Sequence, residues 1–299
     1  MNLLVIGSKG FIGSHIAKLF STKGDTVIGY DLFEPDGTER YIYYTRDITG
    51  IELKDLINRH KPDVCINAGG NGSVPFSIID PVADFESNVI FHTGILELLR
   101  QYKPDCKYIH FSSAAVYGDP KELPISETSP VNPISPYGWH KYQAELVCRE
   151  YAELYKMSTA SLRVFSVYGP GLRKQLFWDT YQKSKLNKAI ELFGTGSESR
   201  DFIFIEDLTV AVDTILNRAE MRGEVINVSS GIETTIAEAV NIFTRLLHDH
   251  EVEFTQQDNP GNPRNWRADV SLLNSFGFNA KTDLQMGLNL TVQWLRENA

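Results

Sequence analysis

Four apolar residues, Leu3-Leu4-Val5-Ile6, run straight into Gly7-Ser8-Lys9-Gly10-Phe11-Ile12-Gly13. A short continuous apolar run marks a strand buried on both faces of a parallel sheet. Behind it, Ile12, Ile16, Leu19 and Phe20 form one stripe at helical spacing, with Gly24 as the stop. Strand, glycine turn and helix start aim backbone N–H groups at one spot, where a pyrophosphate can sit. Gly7 permits the turn, Gly10 lets backbone approach the phosphate, and Gly13 lets the helix pack close to the strand. The spacing is Gly-x-x-Gly-x-x-Gly rather than Gly-x-Gly-x-x-Gly. A tight packing turn is the alternative reading.

The second strand, Thr26 to Tyr30, ends in Asp31, eighteen residues after Gly13. A carboxylate there accepts hydrogen bonds from the adenosine ribose and repels a 2′-phosphate, which favours NAD over NADP. After a third strand around Tyr41–Tyr44, Asp47 and Ile48 would bracket the adenine. A fourth strand, Asp63 to Asn67, opens into Ala68-Gly69-Gly70-Asn71-Gly72, which can pass close to the middle of the cofactor. Ser73 to Ser77 then face the substrate, and one long amphipathic helix is expected from about Asp80 to Gln101. The fifth strand, Lys107 to Phe111, runs out at Ser112-Ser113. Ligands of open parallel sheets bind at the carboxyl ends of the strands, so a serine here can donate to a substrate carbonyl.

Ser135-Pro136 opens the next helix as cap and first residue. Tyr137 and Lys141 follow at i and i+4 on one face. A free tyrosine has a pKa of about 10. An ammonium beside it favours the phenolate and lowers that value. Such a pair can remove a hydroxyl proton while a hydride leaves the same carbon. The spacing also occurs at Tyr117–Lys121, broken by Gly118, Asp119 and Pro120, and at Tyr181–Lys185, where no strand-end serine stands ahead.

After a sixth strand, Thr159 to Phe165, the alternation of strand and helix loosens. Ser166-Val167-Tyr168-Gly169-Pro170-Gly171-Leu172-Arg173-Lys174 reads as the start of a grafted substrate domain, with a helix near Phe177–Asn187 and a strand near Ile190–Phe193. Phe202–Ile205 and Val225–Val228 are expected to return to the main sheet, with a helix from Asp207 to Asn217 between them. Thr235 and Glu238 form a capping box for a helix through Leu247, and a last helix starts about Leu284. Arg200 is a candidate phosphate ligand, because a guanidinium matches phosphate bidentately; a surface ion pair is the alternative.

The 29 Lys and Arg against 38 Asp and Glu give a net charge of −9, which argues against nucleic acid as partner. Cys65, Cys106 and Cys148 are too few and too scattered for a disulfide framework or a metal site, so a reducing compartment is expected. His248 and His250 lack a third ligand, and no metal is expected. No apolar run approaches the roughly 18 residues of a membrane span. No basic segment precedes Leu3, so no signal peptide is read there, and the expected location is the cytoplasm.

Taken together, Gly7, Gly10, Gly13, Asp31, Ser113, Tyr137 and Lys141 resemble the NAD-dependent epimerase/dehydratase branch of the extended short-chain dehydrogenase/reductase family. Arg163–Pro170, Arg200–Asp207 and Ala268-Asp269-Val270-Ser271 look like further motifs of that branch, so the resemblance runs nearly the whole length. It implies an α/β fold: a Rossmann-type doubly wound parallel sheet with a smaller α/β substrate-binding domain. The expected division is 1–165 plus about 202–230 for the NAD-binding domain, and about 166–201 plus 231–299 for the nucleotide-sugar domain. The cofactor would touch Gly7, Gly10, Phe11, Ile12, Gly13, Asp31, Asp47, Ile48, Ala68, Gly69, Tyr137 and Lys141. Ser113, Tyr137 and Lys141 would be catalytic. Ser73, Ser113, Ser166, Arg173, Arg200 and Arg264 would meet the substrate, with Arg200 and an arginine near Trp266 on its pyrophosphate. A homodimer packed through helices near Asp84–Gln101 and Tyr137–Tyr155 is expected.

The resemblance has two departures. Dehydratases of the branch carry Asp-Glu after the active-site hydroxyl, and decarboxylases carry Glu; this chain has Ala114-Ala115. Ser166 stands where sugar-nucleotide epimerases usually have asparagine. The first reading is therefore a nucleotide-sugar epimerase working at C4 through a transient 4-keto sugar. A reductase or dehydrogenase of a nucleotide-linked keto sugar, with exchangeable NAD(P)H, is the second. A non-catalytic nucleotide-binding protein is the third.

Overall fold

The apolar run that opens the chain forms a deeply buried strand: Leu3, Leu4 and Val5 have no exposed surface. The structure, a computed structural model, describes residues 1–46, 53–186, 189–247, 250–257 and 263–298. Asp47 and Ile48, expected at the adenine, lie outside the described residues, as does His248.

The strands are β1 (Asn2–Ile6), β2 (Thr26–Asp31), β3 (Ile42–Thr45), β4 (Val64–Asn67), β5 (Lys107–Ser113), β6 (Thr159–Val164), β7 (Ser166–Tyr168), β8 (Ile190–Leu192), β9 (Ser199–Phe204), β10 (Arg222–Val228), β11 (Glu233–Thr235) and β12 (Val252–Phe254). Seven form one sheet in the order β10-β6-β5-β4-β1-β2-β3, and the pairs from β3 to β5 are parallel. The order reverses between β1 and β4, which is where open α/β sheets bind dinucleotides.

Two compact units share the chain. The first comprises Met1–Gly118, Val131–Arg163 and Val212–Ile226; the second comprises Asp119–Pro130, Val164–Ala211 and Asn227–Ala299. In the first, the helices are α1 (Phe11–Thr22), α2 (Leu53–His60), α3 (Val74–Ile79), α4 (Pro81–Phe85), α5 (Phe91–Tyr102) and α6 (Pro136–Tyr155). Leu56, Ile57, Leu96 and Leu99 from α2 and α5 meet Leu4, Ile28, Cys65 and Tyr108 of the sheet in one core. The long helix expected from Asp80 to Gln101 is interrupted. Asp80 caps α4 by accepting the Ala83 N–H, and a π-helical turn, Glu86–Ile90, joins α4 to α5.

In the second unit the helices are α7 (Gln175–Ser184), α8 (Ile205–Arg218, which crosses back into the first unit), α9 (Ile236–Leu247), α10 (Ser271–Ser275) and α11 (Leu284–Asn298). Phe202 to Phe204 do not return to the main sheet. They belong to β9, the middle strand of a separate sheet in the order β11-β9-β7. A short apolar run identifies a strand but not its neighbour. The Asp201 carboxylate, fully buried in β9, takes the hydroxyls of Ser229 and Ser230 and the N–H groups of Ser230, Gly231 and Ala268, which ties three segments together. The capping box forms as read: Thr235 Oγ1 accepts the Glu238 N–H, and the Glu238 carboxylate accepts the Thr235 N–H. Among the described residues, no helix is long and apolar enough to cross a membrane, and no cluster of His, Cys, Asp and Glu is placed to hold a metal ion.

Candidate active site

At the end of β1 the backbone turns sharply. Gly7 adopts φ +78° and donates its N–H to the Tyr30 carbonyl at 2.8 Å. A Cβ on Gly7 would stand 2.6 Å from the Gly69 nitrogen, and one on Gly13 would stand 2.0 Å from the Gly7 oxygen. No side chain larger than hydrogen fits, so Gly7, Gly13 and the Ala68-Gly69 backbone make a cradle of bare main chain. No side chain caps α1, whose N-cap is Gly10. Its first-turn N–H groups, those of Phe11, Ile12 and Gly13, are the kind that bind a phosphate.

Asp31 closes β2 beside this turn. Its carboxylate accepts the Lys9 N–H and the Leu32 N–H, each at 2.7 Å. A carboxylate offers about four acceptor positions, so two remain for a ribose diol. The Lys9 ammonium is drawn to Asp36 at 3.0 Å and to Glu39, so the loop after Asp31 folds back over the glycine turn. These residues fit the pyrophosphate and ribose of NAD.

The tyrosine arrives on α6. Ser135 caps this helix by accepting the Gly138 N–H at 3.2 Å, and Pro136 fills the first turn. The Tyr137 N–H is held by the buried Ser77 hydroxyl at 3.1 Å. A Cβ on Gly138 would lie 2.6 Å from the Ala115 oxygen, so the helix presses directly on the turn after Ser113. Ser113 accepts the Ala115 N–H at 3.2 Å and hydrogen-bonds the Tyr137 oxygen, which favours the phenolate. Burial and the Asp84 charge work the other way, and Tyr137 is pushed up to about 12. Lys141 was expected to lower it. Its ammonium lies 5.7 Å from the Tyr137 ring centroid and donates to the Phe111 carbonyl at 3.0 Å, and the phenol is instead held up, mainly by burial.

In the second unit, Arg200 Nη1 donates to the carbonyls of Ser199 and Arg264 at 2.7 and 3.0 Å, and its guanidinium lies 5.4 Å from the Trp266 ring centroid. Burial lowers this guanidinium to about 10. Arg264 is exposed, with its N–H on the Asp119 carboxylate at 2.8 Å. Arg200, Arg264 and Trp266 are thus brought together. Arg173 Nη2 donates to the Asn298 carbonyl at 2.7 Å, and its guanidinium lies over Trp178 and Trp294. Ser166 opens β7 opposite Phe202. Ser73 caps α3 by accepting the Phe76 N–H.

Three arrangements near the site have no counterpart in the sequence reading. The first is the fully buried Asp84 with His140, at 2.6 Å. In the second, Glu145 accepts Ser112 Oγ at 2.5 Å and both Nε and Nη2 of Arg163 at 2.9 and 2.7 Å, while Arg163 Nη1 donates to Tyr117. In the third, Asn67 donates to the Tyr108 oxygen and Tyr108 donates to His92 Nδ1 at 2.7 Å, with the His110 ring 4.4 Å from His92. Each joins residues distant in sequence, and no local spacing announces them.

A family model described as NAD dependent epimerase/dehydratase matches residues 3–229. A Methanocaldococcus jannaschii protein provisionally named a UDP-glucose 4-epimerase is 32% identical over 311 residues, spanning 99% of each chain. The dTDP-glucose 4,6-dehydratase of Xanthomonas campestris is 27% identical over 328 residues, spanning 99% of this chain and 93% of its own. Among solved structures, the UDP-glucuronic acid 4-epimerase of Bacillus cereus in complex with UDP-glucuronic acid and NAD matches with TM-score 0.91 at 26% identity over 100% of both chains. The Thermotoga maritima UDP-glucose 4-epimerase with UDP-glucose gives 0.90 at 26% identity over 99% of both.

Proposed function

The chain belongs to the NAD-dependent epimerase/dehydratase family, and from that premise we propose that it is a nucleotide-sugar epimerase acting at C4. The hydrogen-bonded Ser113 and Tyr137, with Ala114 and Ala115 directly behind, carry the reading. A dehydratase needs a further proton donor to expel water from the neighbouring carbons, and this turn offers only methyl groups. Although the relatives include a dehydratase, the side chains favour the epimerase.

Bound NAD supplies a reversible hydride acceptor. Gly7, Gly10 and Gly13 with the start of α1 would hold its pyrophosphate, and Asp31 its adenosine ribose; the negative charge of Asp31 favours NAD over NADP. The Tyr137 oxygen takes the C4 hydroxyl proton as the C4–H bond gives up its hydride, and it returns that proton once the opposite face has been reduced. The Ser113 hydroxyl donates to the carbonyl oxygen of the transient 4-keto sugar. Lys141, fixed by the Phe111 carbonyl, holds positive charge beneath the tyrosine. The substrate pyrophosphate is assigned to Arg200 and Arg264, with Ser73, Ser166 and Arg173 as further contacts. UDP-hexoses head the substrate panel, since the structural relatives named above act on or hold them.

Purified protein should carry NAD and interconvert C4 epimers of a UDP-sugar without added reductant. Tyr137→Phe should keep the NAD and lose about 10²–10⁴ in turnover. No interconversion across UDP-, GDP-, dTDP- and CDP-sugars, or turnover only with stoichiometric NAD(P)H, refutes the assignment.

The partner is proposed to be a second copy of this chain. Ile79 is 82% exposed on α3 and Leu154 67% on α6, with Val82, Ile90 and Trp139 also exposed on the same group of helices. Three free, buried cysteines support a reducing compartment, proposed to be the cytoplasm; recovery from an oxidising compartment on cell fractionation would contradict this.

A further inference from the structure

A fully buried carboxylate one helix away from a base that must ionise is an unfavourable placement unless it has a use. Asp84 is such a group, with no exposed surface, on the five-residue helix α4. Its Oδ1 accepts Nδ2 of Asn71 at 3.0 Å and Nδ2 of Asn88 at 3.1 Å. Its Oδ2 takes Nδ1 of His140 at 2.6 Å, a separation typical of a charge-assisted bond. His140 is the third spacer residue of Tyr137-x-x-x-Lys141, at i+3 from the tyrosine on the same helix face. The Phe85 ring meets the imidazole edge-on at 5.3 Å.

We propose that Asp84 and His140 are positioning residues that set how tightly Tyr137 holds its proton. The Asp84 charge opposes a phenolate, and the His140 hydrogen bond on Oδ2 draws that charge away from the tyrosine and eases the opposition. The proposal rests on Tyr137 being the base of the reading above.

The surroundings leave the pair in control. The Tyr137 oxygen faces Ser113 and feels Asp84, with the Lys141 ammonium engaged on β5 and 5.7 Å from the ring centroid. Around Asp84 the side-chain partners are Asn71 and Asn88, both neutral, and His140. Asp80, the other acid of this segment, is exposed and caps α4 through the Ala83 N–H. Asp84 is among the groups that hold Tyr137 up, second only to burial. A tyrosine held this way binds the C4 proton strongly when it takes it and releases it only to a full alkoxide, as a reversible epimerisation requires.

The test needs no substrate and no turnover. 3,5-Difluorotyrosine installed at position 137 ionises several pH units below tyrosine, inside the stability range of a folded protein, and ¹⁹F NMR follows that one site. Measured in the otherwise native full-length chain, Asp84→Asn should lower the midpoint by about one pH unit, the scale of one charge removed at close range in a protein interior. His140→Gln, which takes the imidazole off Asp84 Oδ2, should raise it. A purely structural role would lower the melting temperature of both variants and leave both midpoints unchanged. Midpoints that stay put, or that move in the opposite directions, overturn the proposal. If one variant does not fold, the direction shown by the other decides. Absence of epimerase activity leaves this titration intact, so the two proposals fail separately.

Discussion

His110 lies in β5 with both ring nitrogens buried and without a hydrogen-bond partner among the described residues. Burial, His92 and Lys141 together hold it well below the ordinary histidine range. His92, its neighbour, is lowered to about 3, mainly by burial. Both rings stay neutral in the folded chain at pH 5, while in the unfolded chain each protonates near 6.5. Between about pH 3 and 6.5 the unfolded state binds the extra protons, so stability rises with pH across that window and is lost on acidification. From pH 7.5 to 5.0 each buried histidine costs about 2 kcal/mol, the free energy of protonating only the unfolded form. Leucine has nearly the volume of the imidazole and leaves no polar atom unpaired. His110→Leu should therefore be neutral or up to about 1 kcal/mol stabilising at pH 7.5. At pH 5.0 it should lose about 2 kcal/mol less than the parent chain. Urea unfolding followed by tryptophan fluorescence at both pH values, with linear extrapolation, reads the difference, and contributions from all other groups cancel. Equal acid losses in the two proteins would refute the reasoning.

The remaining expectations concern the ion pair and the helix surface. Glu145→Gln leaves the buried Arg163 guanidinium without its countercharge and should cost about 3–5 kcal/mol by denaturant melting; a loss below about 1 kcal/mol contradicts the desolvation argument. Sedimentation should show a dimer that Val82→Glu with Leu154→Glu converts to a monomer, and a wild-type chain that sediments as a monomer rules the homodimer out.

The legible part of this fold is the part encoded within a few residues. The glycine turn, Asp31 at the end of β2 and the Tyr137–Lys141 pair depend on local spacing, and each stands where the turn geometry requires it. The buried strands announce themselves because β1 and β4 each carry a continuous apolar run, Leu3–Ile6 and Val64–Ile66. Pairing partners are not local. β9 ends in the kind of continuous apolar run, Phe202 to Phe204, that marks a strand of the main sheet, and its place beside β7 and β11 depends on registers set far away. Hydrogen-bond register inside a helix is equally silent, because the apolar stripe of residues 85–99 reads the same across the π turn. Asp84 and His140 are 56 positions apart, and a charge pattern on either helix alone suggests only a solvated face. Arg200 shows the converse. Its motif is plain in the sequence, but its stacking on Trp266 and its bond to the Arg264 carbonyl needed three-dimensional placement.

The π turn at Glu86–Ile90 has a consequence for how this scaffold can vary. Such a turn holds one residue more than an α-helical one. Losing a single residue there would convert it to an ordinary α turn and leave the helices on either side near their present facing, because five π-helical residues sweep about the same angle as four α-helical ones. The aspartate would stay close to the imidazole while α5 stayed seated on the sheet. A one-codon deletion is thus absorbed in this turn, whereas the same deletion inside α5 would rotate one side of the helix against the other by roughly 100°.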